Sequence, residues 1–160
     1  MKPAAFLPIL AIAAGCASPY VAPEAVNPVS TGAYTRAETI GAEQRLVAKL
    51  LADPAFASHY AAKAAQRGGA PALQVAHIDN LTTRRVGTTL AAVRRDLETA
   101  LRSSGRFLLS GDIDACDYIL HGEYRDIADG RRITHQLALR LHDTAADLDV
   151  WTGSDEIAKE

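Results

Sequence analysis

Five histidines, His59, His77, His121, His135 and His142, are the side chains of this sequence best suited to chemistry. His77 and Asp79 stand at i and i+2 in a short apolar run. Residues spaced by two on a strand share a face, so this pair, joined by His121 and His135, is the candidate for a convergent His/Asp site. Zinc would need about three or four such ligands meeting at about 2 Å. No HExxH or paired CxxC spacing supports that, and no GxSxG, P-loop or GxGxxG motif is present. Ser103, Ser104 and Ser110 fall at helix-end and turn positions, where Ser serves the backbone. Asp112, Asp114 and Asp117 form an acidic turn without the order or glycine of an EF-hand, and read as solvated. These residues predict a binding domain with no catalytic residue, no metal and no cofactor.

Bulk properties agree with that class. The chain has 160 residues, enough for one domain with appendages, and its apolar share is 48%. A net charge of −2 gives no basic footprint, so nucleic acid is not an expected partner. There are two cysteines, Cys16 and Cys116. The expectation is no disulfide framework, with Cys116 packing as a small apolar residue.

Any site must be positioned by the stretch from Asp117 to Ile157. Ile133, Leu137, Leu139 and Leu141 fall near or on one parity, with Thr134, Gln136, Arg140 and His142 between them. A period of two is the signature of a half-buried strand. His135 shares the apolar parity. Asp129-Gly130 is a strong hairpin signal before this strand, and residues 143–149 offer a looser turn after it. A three-stranded antiparallel meander results, and its apolar face needs a cover.

The earlier chain supplies that cover. Thr35-Arg36-Ala37-Glu38 has the form of a capping box, and Ile40, Val47, Leu50 and Leu51 then lie near one helical face. Asp53-Pro54 opens a second helix that Gly68-Gly69 ends. Ala72 to Ile78 reads as a strand and Asp79 to Arg85 as a polar turn. A helix follows from Thr88 or Thr89 to Ser104, with Leu90, Val93, Leu97, Ala100 and Leu101 as its stripe. Gly105 is placed as its C′ residue, and Arg106 to Leu109 as another short strand. The order α-α-β-α-β-β-β-β predicts an α+β two-layer sandwich, a mixed, mostly antiparallel sheet of four to five strands with helices packed on it.

The first residues read as targeting rather than structure. Lys2 is a minimal positive region, and Ala4 to Ala14 a short apolar core ending in Ala13-Ala14-Gly15-Cys16. Small residues before a Cys resemble the bacterial lipobox, in which that Cys is acylated and becomes the mature N-terminus; the alternative is a secretory signal cut near Ala17. The expected organisation is a lipoprotein signal peptide over 1–15, a lipidated Cys16 with a Pro-rich tether over 16–34, and a periplasmic α+β domain over 35–160. Ala17 rather than Asp after the Cys resembles the pattern that sends such lipoproteins to the outer membrane. At about 3.3 Å per residue the tether reaches at most about 60 Å.

Five phrases resemble the LpoB family, outer-membrane lipoproteins that activate class A (bifunctional) penicillin-binding proteins. They are Leu50-Leu51-Ala52-Asp53-Pro54-Ala55-Phe56, the Val75–Thr82 stretch VAHIDNLT, Ser104-Gly105-Arg106-Phe107, Asp117-Tyr118-Ile119-Leu120-His121-Gly122, and Val150-Trp151-Thr152-Gly153. They occur in the family's order over residues 36 to 157. The resemblance implies a lipid-anchored protein on the periplasmic side of the outer membrane that docks on a class A synthase and favours its active state. The loop Asp79, Asn80, Thr82, Thr83, Arg84 and Arg85 is the candidate partner-binding surface. Where the family often has Arg between the Asn and Thr, this chain has Leu81, so a cationic contact falls to Arg84 or Arg85. Nine residues separate Phe107 from Asp117, which implies one element fewer than the family usually carries. Two other classes stay open: a structural or assembly lipoprotein of the envelope with a related fold, as in curli-type secretion, and an envelope hydrolase built on His77, His121 and His135.

Overall fold

The computed structural model describes residues 36–82, 90–129 and 132–157. The signal and tether, residues 1–35, therefore lie outside the described residues, as do Cys16 and the Thr35 of the capping box.

Helix α1 spans Arg36–Ala52 and α2 spans Pro54–Arg67. The break between them is the expected one. Asp53 Oδ1 accepts from the Phe56 N–H at 2.9 Å while Pro54 occupies the first turn, where its missing N–H costs nothing. Gly68 ends α2 with φ +72°, the left-handed conformation that favours glycine there. Strand β1 runs Ala72–Asn80, α3 Leu90–Ser103, and β2 only Leu108–Leu109. A 3-10 turn at Ile113–Ala115 leads into β3 (Tyr118–Asp129), β4 (Arg132–Asp143) and β5 (Leu148–Ile157).

The five strands form one sheet in the order β2-β1-β3-β4-β5. β1 is parallel to both β2 and β3, and the meander is antiparallel. The two-layer α+β arrangement predicted from the pattern is the one found, with β1 flanked on both sides. Three differences have local causes. β1 continues through Asp79 and Asn80 because β3 is long enough to pair with them, Asp79 opposite Glu123 and Asn80 opposite Tyr124. β2 shrinks to two residues, since Phe107 turns into the core instead. β5 extends to Ile157 beyond its apolar segment because β4 offers partners throughout, His135 opposite Ile157 at the far end.

Among the described residues, helices cover one face only. Tyr118, Leu120, Gly122 and Tyr124 of β3 and His135, Leu137, Leu139 and Leu141 of β4 point toward them and are buried. Ala42, Leu46, Val47 and Leu50 of α1 and Val93, Leu97 and Leu101 of α3 complete the core. Glu43, three residues after Ile40 and four before Val47, shares their face of α1 and is also buried. Where the sheet twists under α1, the Trp151 ring lies over Gly153: a Cβ there would come within 2.4 Å of it.

α2 is held differently. Phe56 is its one fully buried residue, in an aromatic cluster with Tyr60, Phe107 and Tyr118. The rest of its attachment is polar. His59, Lys63 and Arg67 recur every four residues and so form one stripe along the helix. His59 Nε2 lies 2.8 Å and Lys63 Nζ 2.7 Å from Asp143 Oδ2, and Arg67 Nη1 lies 2.6 Å from Asp117 Oδ2. Asp117 also accepts from the Ala72 N–H at 2.7 Å, so it is no solvated member of an acidic turn. Asp143 is fully buried and accepts in addition from the N–H groups of Ala145 (2.9 Å) and Ala146 (3.0 Å). Burial, the strongest single influence, pushes its pKa up. The bonds from Lys63, Ala146, His59 and Ala145 together outweigh that and hold it at about 2.

A folded-state pKa below the unfolded value of about 3.9 means that Asp143 stabilises the fold above that pH and ceases to do so as pH falls toward 2. Asp143→Asn should lose about 3 kcal/mol, because Lys63, its side chain only 13% exposed, is left without its counter-charge. Urea unfolding measured from pH 6 to pH 2.5 should show the difference between wild type and variant shrinking below about pH 4. Parallel pH profiles would contradict this role.

Candidate functional site

The sheet face away from the helices carries every other side chain of the meander: Ile119, His121, Glu123 and Arg125 on β3, Gln136, Ala138, Arg140 and His142 on β4, Thr152 and Ser154 on β5. Small side chains at its centre, with Gly153 beside them, leave a shallow open concavity of about 620 Å³. Its rim includes Asp79, His121, Glu123, Arg125, Arg140 and Thr152.

The histidine constellation does not assemble. His121 pairs with Arg140 on the open face, whereas His135 is an odd number of residues away on β4 and lies on the helix face, 6% exposed. There His135 Nδ1 meets Asp126 Oδ1 at 2.6 Å. The β-bulge of β1, between Val75 and Ile78, falls where His77 sits, and His77 is exposed. His121 instead neighbours His142, with ring centroids 6.5 Å apart. Burial first, then the Arg140 guanidinium and His142, push the His121 pKa below its usual value, so its neutral form is favoured. His142 is bracketed by Asp149 at 3.2 Å and Asp147 at 3.4 Å. Among the described residues no group of three or more His, Cys, Asp or Glu is arranged to hold a metal ion. Cys116 packs against the core, its Sγ donating to the Asp112 carbonyl at 3.0 Å, and burial pushes its thiol pKa up.

Of the partner-binding candidates, Asp79 and Asn80 lie on β1 and Thr82 in the turn beyond it. Thr83, Arg84 and Arg85 lie outside the described residues. The alternation that turns Ile78 into the core sends Asp79 to the open face, beside Glu123. Asn80 Oδ1 accepts from both Thr82 N–H (3.1 Å) and Thr82 Oγ1 (2.7 Å), an Asx turn that fixes the direction of the loop. The Leu81 N–H donates to the Tyr124 carbonyl at 2.9 Å, yet its side chain is 60% exposed, the most exposed large apolar residue described. From the sequence Leu81 stood out only as a departure from the family pattern, not as a contact residue; Glu123 and Arg125 were not singled out, because placing them needs the strand register.

Fold and site together define a one-face-covered α+β domain that presents polar side chains, a shaped loop and strand edges. Solved structures with this architecture include LpoB C-terminal domains, and the domain has an LpoB-like fold. The C-terminal domain from Escherichia coli superimposes with a TM-score of 0.54 at 16% identity, covering 76% of this chain and 98% of that one. The Salmonella enterica domain gives 0.53, also at 16% identity and the same coverage. The solution structure of E. coli LpoB gives 0.51 at 16% identity, covering 77% of this chain and 68% of that chain. No family model matches the chain, and no curated protein matches it.

Asn80 shapes the loop from an exposed position, so Asn80→Ala should lower stability by no more than about 1 kcal/mol. Asp79→Ala should be neutral within about 0.5 kcal/mol. Denaturant titration checks both, and a larger loss in either would mean that the loop is a structural part of the core.

Proposed function

We propose that this protein is an outer-membrane lipoprotein that binds and activates a class A penicillin-binding protein in peptidoglycan synthesis. The observation that carries the reading is the LpoB-like fold, matched over 98% of the E. coli domain. The lipobox-like segment ending at Cys16 supports it, with acylation providing the anchor on the periplasmic side. No described helix is long and apolar enough to cross a membrane. A multiply acylated Cys is a stable anchor where a single chain is not.

The mechanism in this reading is allosteric. The lipoprotein docks on a noncatalytic periplasmic domain of the synthase and shifts it toward its active state by binding that state more tightly. Asp79, Asn80, Thr82, Thr83, Arg84 and Arg85 form the docking loop, with Leu81 as its apolar contact. The second reading, a structural or assembly lipoprotein of the envelope, shares the anchor but not the synthase.

A pull-down from solubilised membranes with residues 35–160 as bait discriminates the two. The expected result is recovery of a bifunctional penicillin-binding protein, reduced at least severalfold by Arg84→Ala with Arg85→Ala. Recovery unaffected by that change would move the interface elsewhere, and capture of other outer-membrane proteins without a synthase would favour the assembly reading. Lengthening the segment 17–34 should also raise synthase activation in cells, since about 60 Å is a short reach; an unchanged response over a range of lengths would count against a reach limit.

A further inference from the structure

Among the described strands β5, ten residues long, is the edge of the sheet on its meander side. Its outward-facing backbone groups follow from one bond. The Thr144 N–H donates to the Asp117 carbonyl at 3.1 Å, beside the Tyr118–Asp143 pair. In an antiparallel ladder, pairs that exchange hydrogen bonds alternate with pairs that do not. Even-numbered residues of β4 therefore turn their backbone groups toward β3, and odd-numbered ones toward β5. Through the pairs Leu139–Gly153 and Leu137–Asp155, the odd residues of β5 answer them. The N–H and C=O groups of Thr152, Ser154 and Glu156 are left facing outward.

Two of these three outward carbonyls are taken by α1. Lys49 Nζ donates to the Ser154 carbonyl at 3.1 Å, and Arg45 Nη2 to the Glu156 carbonyl at 3.3 Å. The two cations stand at i and i+4 on α1, and both are steered by Asp155, whose side chain lies on the helix-facing side of β5. Lys49 Nζ is 3.1 Å from Asp155 Oδ1, and Arg45 Nε bonds Asp155 Oδ2. Bare sheet edges recruit further strands, and charged side chains placed across them are a known way to prevent it.

We propose that β5 is a self-pairing edge of this protein, which Arg45 and Lys49 hold shut. The occupant that fits the opened edge is a second copy of the chain, antiparallel about Ser154. That register places Ser154 opposite Ser154, Thr152 opposite Glu156, Gly153 opposite Asp155 and Trp151 opposite Ile157. No acidic residue faces another across the two-fold, and the one apolar pair meets. The same patch serves both copies, as a two-fold interface requires, and the two sheets become continuous. Both cations are about half exposed, 53% for Arg45 and 51% for Lys49, so they can let go without disturbing the core.

The test is disulfide trapping in the full chain, in membranes. Ser154→Cys, combined with Cys116→Ala, sits on the two-fold, where paired Cα atoms about 5.5 Å apart can be bridged. Under mild oxidation, adding Arg45→Gln with Lys49→Gln should raise the disulfide-linked dimer severalfold over the same chain with both cations intact. Asp155→Asn removes their shared anchor and should raise it to a lesser degree; it also provides the readout if the double variant is proteolysed. Ala145→Cys, exposed in the preceding turn, should not cross-link above background. Equal cross-linking with and without the cations, or none in either, would overturn the proposal.

Discussion

The attachment of α2 rests on two buried or half-buried carboxylates at one end of the sheet, and much else rests on that attachment. Asp143 and Asp117 lie at adjacent strand ends and face a single stripe of α2, His59, Lys63 and Arg67. With Phe56 as its one fully buried residue, α2 buries too little apolar surface to be held by the hydrophobic effect alone. The carboxylates do more than hold the helix. Asp143 closes the turn into β5 through the N–H groups of Ala145 and Ala146, and Asp117 takes the first N–H of β1. One removed charge would therefore loosen a helix and a strand connection together. Apolar residues of similar size can stabilise as well but do not fix direction, and a fixed α2 is what places Phe56 against Phe107 and Tyr118.

The phrases by which the sequence resembles a known family turn out to be places where packing leaves little choice. Asp53-Pro54 is a helix junction whose Phe56 enters the aromatic cluster. Gly105 takes φ +67° after α3, and Phe107 follows into the same cluster. Tyr118 stands between both, and Gly122 must be small because Ile78 and Leu139 close over it. Gly153 lies beneath the Trp151 ring. Asn80 and Thr82 make an Asx turn. Each phrase is local in sequence and constrained by contacts across the fold, which is why short motifs carried so much of the architecture.

What stayed illegible was nonlocal. Asp143 reads as one more turn residue until Lys63 and His59, eighty and more positions away, are brought to it. β5 hides beyond Trp151 because Asp155, on its buried parity, is polar; that makes sense only beneath the two cations of α1. The bulge in β1 leaves no mark in the pattern, yet it decides which way the residues from Ile78 to Asn80 point. The open face escaped for the same reason: Glu123, Arg125 and Arg140 become neighbours only when three strands are in register.

A sheet covered on one side divides the chain's residues by purpose. The helix face is filled by the residues that specify the fold, so likeness there, whether in short phrases or in superimposed backbones, reports architecture. In the proposed reading, recognition falls to the open face, the loop that ends β1, and the edges. Those parts carry an exposed Leu81 between the Asn and Thr of an otherwise polar turn, a mixed-charge strip at Glu123, Arg125 and Arg140, and an edge covered by side chains from a helix. Because the Asx turn fixes the exit of β1, whatever meets Leu81 also meets Asp79 on the adjoining face. A partner approaching from that corner would read an apolar knob and a carboxylate at a set spacing, and the covered β5 edge, three strands away, would stay free for a different interaction.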